Sequence, residues 1–253
     1  MSSESVIVER KGGLLSLCFN RPDKKNAITQ DMYHVLADAL ANLDSSVRVV
    51  KFSGLGGCFT AGNDLKDFLA APPADTSHPT TRFIKLLPDV PVPMVAQVEG
   101  PAVGIGTTLL LHCDLVVAAT NASFAVPFVK LGLVPEAASS LLLPRLMGYQ
   151  RAAAMLLLGD TVDATMAERF GLVTHLVEPA ALAETADRLV QKLLSLPPAA
   201  LKATKKLMKA ESTPVGERIE AELKVFLARL QSEELKEAAT AFLEKRSPDF
   251  SRF

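Results

Sequence analysis

Two short apolar runs, Val6 to Arg10 and Leu14 to Phe19, flank Lys11-Gly12-Gly13, and the glycine pair permits the tight reversal of a β-hairpin. Met32, Leu36, Ala39, Leu40 and Leu43 then recur at helical spacing behind Thr29, whose hydroxyl can cap them, so a helix is predicted over 29–43. Val47 to Ser53 reads as a buried strand ending in the glycine-rich turn Ser53-Gly54-Leu55-Gly56-Gly57, and Cys58 to Leu65 leads into a short helical stretch. The segment from Ala70 to Thr81 contains Pro72, Pro73 and Pro79 and is predicted to be a surface loop without a regular element. Phe83 to Leu87 reads as a turn of helix. Pro91 and Pro93 introduce a strand over Met94 to Glu99, Gly100 to Gly104 bends into an apolar helix running to about His112, and Leu115 to Ala118 is a further strand.

This order of strand, glycine turn, helix and strand returns roughly every forty to fifty residues, which predicts an α/β fold of stacked β-β-α units in place of one doubly wound sheet. From Ala137 the pattern becomes helical, with helices predicted over Ala138 to Leu146, Gln150 to Leu158, Ala164 to Phe170, Pro179 to Leu194, Ala199 to Lys209 and Val215 to Leu243. Leu196-Pro197-Pro198 interrupts it, dividing the chain into 1–195 and a helical region, 196–253.

Composition narrows the function classes. Of 253 residues 49% are hydrophobic and 22% charged, enough to bury a large core without disulfide or metal staples. Lys+Arg of 27 against Asp+Glu of 28 gives a net charge of -1, so no basic excess points to nucleic acid as a partner. Cys18, Cys58 and Cys113 form no Cys-x-x-Cys pair and do not cluster with the histidines, so no metal site is expected; the neighbours His112 and Cys113 read as packed side chains. The start, Met-Ser-Ser-Glu-Ser, lacks a basic segment followed by an apolar one, no apolar run is long enough for a bilayer, and Ser251-Arg252-Phe253 differs from a peroxisomal Ser-Lys-Leu ending in its last residue. A cytoplasmic protein with no membrane contact is the expectation.

Two glycine turns are candidates for chemistry, because each delivers backbone N–H groups at the start of a helix, where anions and oxygens gaining negative charge are stabilised. The candidates are Ala61, beside Gly62, and Ile105, between Gly104 and Gly106. If the fold brings them together they can flank one carbonyl oxygen; from spacing alone these glycines read first as tight turns. No phosphate loop, dinucleotide pattern or Gly-x-Ser-x-Gly is present. Glu136 lies in Leu131-Gly132-Leu133-Val134-Pro135-Glu136-Ala137-Ala138-Ser139-Ser140, where it is the one charge. Apolar surroundings disfavour a charged carboxylate and suit it to proton abstraction; an exposed glutamate in a first helical turn is the other reading. Asp114 reads as a strand cap or salt-bridge partner, and Lys202, Lys205, Lys206 and Lys209, at steps of three and four, read as a solvated helix face.

Several separated motifs resemble the crotonase superfamily, the enoyl-CoA hydratase/isomerase family, over essentially the whole chain: Asn20-Arg21-Pro22 with Asn26-Ala27, Phe59-Thr60-Ala61-Gly62-Asn63-Asp64-Leu65, Gly100 to Gly106, Cys113-Asp114, Gly171-Leu172-Val173 and Ala241 to Arg246. The resemblance implies a crotonase-like spiral carrying the acyl-CoA site, a C-terminal helical trimerisation region, and homotrimers often paired into hexamers. It implies a coenzyme A thioester as substrate, no permanently bound cofactor, and a thioester carbonyl between the N–H groups of Ala61 and Ile105. The positions matching the two hydratase glutamates carry Thr108 and Phe128, whereas Pro135-Glu136-Ala137-Ala138-Ser139-Ser140 resembles the Pro-Glu-Gly-Cys-Ser-Ser stretch of Δ3,Δ2-enoyl-CoA isomerases and favours Glu136 as base. Coenzyme A is expected near Asp23, Lys24 and Lys25 and near Asn63, Asp64 and Leu65, with Phe242 and Lys245 reaching the coenzyme A of a neighbouring subunit. Phe68, Leu133, Leu141 and Leu142 are expected to wall the acyl pocket. A hydratase, hydrolase or ring-opening enzyme on another acyl-CoA, or a non-catalytic acyl-CoA-binding protein, are the rival implications.

Overall fold

The computed structural model describes residues 5–209 and 212–248; the features read at 1–4 and 251–253 lie outside them. Strands β1 (Val6–Lys11) and β2 (Leu14–Phe19) form the expected antiparallel hairpin. Beyond β2 the sheet is parallel, adding β3 (Val49–Gly54), β4 (Met94–Val98), β6 (Leu115–Ala119) and β9 (His175–Val177) in the order β1-β2-β3-β4-β6-β9. A smaller sheet holds β5 (Pro101–Val103), β7 (Ser123–Ala125) and β8 (Val162–Asp163), with β5 and β7 parallel. β4 with β5 and β6 with β7 each lay one strand in the large sheet and a short one in the small sheet, and β3 is followed by the isolated bridge of Thr60 to Ala102, which is the β-β-α spiral.

Strand periodicity explains how the large sheet is covered on both faces. Val50, Phe52, Met94, Ala96, Val116 and Ala118 point into the main core, where α1 (Gln30–Ala41) adds Met32, Tyr33 and Leu36. The alternate residues Val49, Val95, Val117 and Ala119 point the other way, onto Leu182, Ala186 and Val190 of α8 (Pro179–Ser195). Short helices α2 (Leu65–Ala70), α3 (Pro79–Leu86) and α4 (Ile105–Thr108), the last continued by a 3-10 turn to His112, occupy the spiral's third layer. They are followed by α5 (Ser139–Met147), α6 (Tyr149–Ala153) with a π turn to Leu158, and α7 (Ala164–Arg169). Next along the chain come α9 (Pro198–Met208), α10 (Ser212–Arg229) and α11 (Glu233–Glu244). Among the described residues, no helix is long and apolar enough to cross a membrane.

Three sequence expectations need correction. The loop expected to Thr81 stops earlier, because Pro79 opens α3; proline is suited to a first helical position, and His78 Nδ1 accepts from Thr80 N–H as the cap. The helix expected from Val215 to Leu243 is two, separated where the Ser232 side chain accepts from Leu235 N–H and starts α11. The lysine face is not uniformly solvated: Lys205 is buried, and its Nζ donates to Asp114 Oδ2 and to Val92 O, each at 2.7 Å. Asp114 also accepts from Met94 N–H at 2.7 Å, so the strand-cap and salt-bridge duties both fall on it.

Candidate active site

The two glycine turns do converge. Thr60 and Ala102 form a parallel bridge, with Thr60 N–H donating to Pro101 O and Val103 N–H donating to Thr60 O, both at 3.0 Å. The approach is closer than a side chain would allow: a Cβ on Gly62, whose φ is +86°, would lie 2.7 Å from Val103 O, and one on Gly106 would lie 2.6 Å from Thr60 Cγ2. Gly104, at φ +57°, sends β5 directly into α4, so Ile105 is the first helical residue.

The N–H group presented by the first turn is that of Asn63 and not of Ala61. Ala61 N–H donates to Lys25 O at 2.9 Å, closing the turn onto the loop after β2, while Gly62 N–H donates to Thr60 Oγ1 and Asp64 N–H to Ile28 O. Among the described residues, no acceptor meets the N–H of Asn63 or of Ile105. Side chains hold this turn: Thr60 Oγ1 donates to Asn26 O at 2.7 Å, and Asn26 Nδ2 donates to Cys58 O and Leu55 O. Arg21 pairs with Asp64 at 2.7 Å, and the Tyr33 hydroxyl donates to Asn63 Oδ1. Burial, and secondarily the charge of Glu136, push the Tyr33 phenol well above its ordinary value, so it stays a donor.

Glu136 follows β7 on a loop that turns at Gly132, φ +68°. It is 3% exposed and precedes α5, which removes the reading as an exposed first-turn glutamate. The Thr108 hydroxyl, on the helix opened by Ile105, donates to its carboxylate. Its own carbonyl is held by Ser139, from N–H at 3.0 Å and from Oγ at 2.6 Å. Ala137 and Ala138 both take left-handed backbone, at φ +51° and +57°, a conformation costing a non-glycine residue roughly 1–2 kcal/mol. His112 Nε2 donates to Ala137 O at 2.9 Å.

Beside the turns lies a cavity of about 1060 Å³. Among its lining residues the basic Arg21, Lys24, Lys66 and Lys130 outnumber the acidic Asp64 and Asp67, and Phe68, Phe128, Leu133, Phe226 and Leu235 are apolar. Of the residues expected to contact coenzyme A, Lys24, Asn63, Asp64, Leu65 and Phe242 line this cavity, whereas Asp23, Lys25 and Lys245 do not. Phe242 lines the cavity of its own chain, and Lys245 instead forms the left-handed cap of α11. The Asp64 carboxylate is engaged in structure: burial acts to raise its pKa, but Arg21 and the Asp67 and Lys66 N–H groups it caps hold it below the usual carboxylate value. Of the expected acyl walls, Phe68 and Leu133 line the cavity; Leu142 packs on the main core, and Leu141 is not a wall residue. Glu136 is buried and is not itself a lining residue of the cavity; it is joined to the site through Thr108, on the helix opened by the lining residue Ile105. Among the described residues, no group of three or more His, Cys, Asp or Glu side chains could hold a metal ion.

Sequence reasoning missed Tyr33, Lys66, Phe226 and the clamp at His112. A signal existed for Tyr33: its hydroxyl sits on the buried face of α1 and requires a partner there. Phe226 offered none, since its edge contact with Phe68, ring centroids 6.1 Å apart, joins residues remote in sequence.

A β-β-α spiral whose two turns offer N–H groups beside a buried carboxylate is the architecture of a crotonase-type acyl-CoA enzyme. Residues 9–252 match the Enoyl-CoA hydratase/isomerase family, and the chain belongs to it. It is 33% identical over 258 residues to 1,2-epoxyphenylacetyl-CoA isomerase of Escherichia coli, covering 98% of each chain. With Enoyl-CoA delta isomerase 2 of Rattus norvegicus it shares 36% identity over 252 residues, which is 96% of this chain and 64% of that protein. The structure of Pseudomonas aeruginosa OdaA superposes with a TM-score of 0.91 at 46% identity, over 95% of this chain and 99% of the other.

Proposed function

We propose that the protein is a Δ3,Δ2-enoyl-CoA isomerase with Glu136 as its base. The observation that carries this reading is the buried Glu136 carboxylate tied to Thr108 on the helix that begins at Ile105, together with the occupation of the two hydratase glutamate positions by Thr108 and Phe128. Glu136 removes a proton from C2 of a 3-enoyl-CoA. The electron pair left at C2 delocalises onto the thioester oxygen, where the N–H groups of Asn63 and Ile105 receive the charge; Asn63 takes the part expected of Ala61. As the carbonyl re-forms, the pair makes the C2–C3 double bond, the C3–C4 π electrons move to C4, and Glu136 returns the proton there. One carboxylate serves both transfers because no water is activated.

The excess of basic lining residues suits the phosphates of coenzyme A, with Lys24 and Lys66 as the proposed contacts, and the apolar lining suits an acyl chain. A homotrimer or hexamer with no resident cofactor accompanies the proposal. The rat relative's activity is in keeping with it. A second reading, a rearrangement of an aromatic acyl-CoA, is favoured by the four phenylalanines that line the cavity, which can stack on an aryl group, and by the end-to-end match to the E. coli relative.

The test follows conversion of a 3-enoyl-CoA to its conjugated 2-enoyl isomer by ultraviolet absorbance, in the wild type and in Glu136→Gln. Turnover abolished by the substitution with binding retained supports the isomerase. A folded wild type that binds coenzyme A esters without turning over any 3-enoyl-CoA refutes it in favour of another acyl-CoA reaction.

A further inference from the structure

The run from Ile105 to His112 forms one short helical ribbon, α4 and its 3-10 continuation. Along it, at steps of three and four, stand three groups turned toward the site: the Ile105 N–H, the Thr108 hydroxyl on the Glu136 carboxylate, and His112 on the carbonyl of the residue after Glu136. His112 is 2% exposed, so this hydrogen bond is shielded from water. Its acceptor belongs to the first of two consecutive left-handed alanines, both fully buried, a conformation that persists only when its surroundings dictate it. Ser139 secures the carbonyl of Glu136 itself, and His112 secures the next one.

We infer that His112 is a positioning residue for the base: its Nε2–H holds the Ala137 carbonyl and thereby keeps the strained loop that aims Glu136 at the oxyanion turns. The inference rests on the reading of Glu136 as base. The acceptor is a carbonyl oxygen, so Nε2 must carry the proton. Burial, opposed by the hydrogen bond to Ala137 O and joined by the charges of Lys209, the C-cap of α9, and of Lys205, lowers the His112 pKa to about 4, which keeps the ring neutral and makes it a fixed clamp in place of a proton carrier.

The first arm of the test uses the unaltered protein, labelled with 15N at histidine and examined by NMR near pH 7. The expected result is a neutral His112 ring protonated at Nε2; an Nδ1–H tautomer overturns the inference. The second arm measures steady-state kinetics. His112→Phe, which keeps a ring and loses the donor, is expected to lower kcat roughly ten- to hundredfold with KM within about twofold, the size of loss that a misplaced catalytic group produces. His112→Gln, which restores an amide donor, is expected to recover most of kcat. Ala137→Gly added to His112→Phe is expected to recover part of it, since glycine adopts φ +51° without strain. A His112→Phe enzyme with the kcat of the wild type, or one altered in KM alone, overturns the inference. If His112→Phe does not fold, the tautomer and the His112→Gln rate decide the matter. If the wild type isomerises no 3-enoyl-CoA, the reaction assignment fails separately, and the same split is read on whichever acyl-CoA conversion Glu136→Gln abolishes.

Discussion

The two turns that meet at the cavity present the same group, one backbone N–H each, by different means. At Asn63 the turn is a loop held by side chains: Asn26 beneath it, Tyr33 on the Asn63 amide, and Arg21 on Asp64. At Ile105 a short strand runs through Gly104 at φ +57° into a helix, with Gly106 seated on Thr60 and one side chain of the helix itself, the Thr107 hydroxyl, donating to Ala102 O at 2.6 Å and accepting from Ala125 N–H at 3.2 Å. The difference teaches where each is vulnerable: Gly62 and Gly106 both leave no room for an added atom, but the first turn also responds to substitution of residues far off in sequence, whereas the second responds to Thr107 within its own helix.

The sharpest way to break that contrast is Gly106→Ala. The new Cβ would meet Thr60 Cγ2 at 2.6 Å and force the turns apart, so kcat is expected to fall about 10²–10³-fold, the loss typical of one oxyanion donor, with stability lower by roughly 1–3 kcal/mol in urea unfolding. Wild-type kinetics in this variant would show that backbone approach does not set the second turn.

A pH series separates the regions further. In the folded protein His112 stays neutral down to about pH 4, while the unfolded chain binds its proton near 6.5, so stability falls as pH drops from 6.5 to 4 and then levels off. The His112 contribution amounts to about 3 kcal/mol, and His112→Gln is expected to remove that part of the slope; Lys205 of α9 and Lys209 at its C-cap are the charged surroundings that must be kept. The Asp64 carboxyl is held below its ordinary value of 3.8, so the stability it contributes is present above pH 3.8 and lost as pH falls below that. The two windows do not overlap. A urea-unfolding series on His112→Gln and Asp64→Asn that changes the same window in both would refute the separation.

Smaller effects test the tethers of the first turn. Asp64→Ala removes the cap of α2 and the partner of Arg21 together and is expected to cost about 1–2 kcal/mol, measured by thermal unfolding. Tyr33→Phe deletes only the hydroxyl on Asn63, with an expected loss of about 1 kcal/mol and a several-fold fall in kcat at unchanged KM. An unchanged kcat there would mean that Asn63 needs no tether.

Much of this was legible beforehand, because it depends on periodicity and local turn chemistry. The hairpin over Val6–Phe19, the buried strands at Val49 and Met94, the helix capped by Thr29 and the odd position of Glu136 follow from neighbours a few residues away. Motif order was enough to indicate the family, since tight turns demand particular residues at particular places. What needed the folded chain were the relations between distant backbone atoms. Whether Ala61 or Asn63 keeps its N–H unbonded depends on Lys25, brought up by the Asn26 knot; whether Lys205 faces water depends on Asp114; whether Ala137 can be left-handed depends on His112, twenty-five residues earlier. A hydrogen bond is satisfied by whichever acceptor the fold delivers within about 3 Å, and side-chain identity along the chain does not contain that distance.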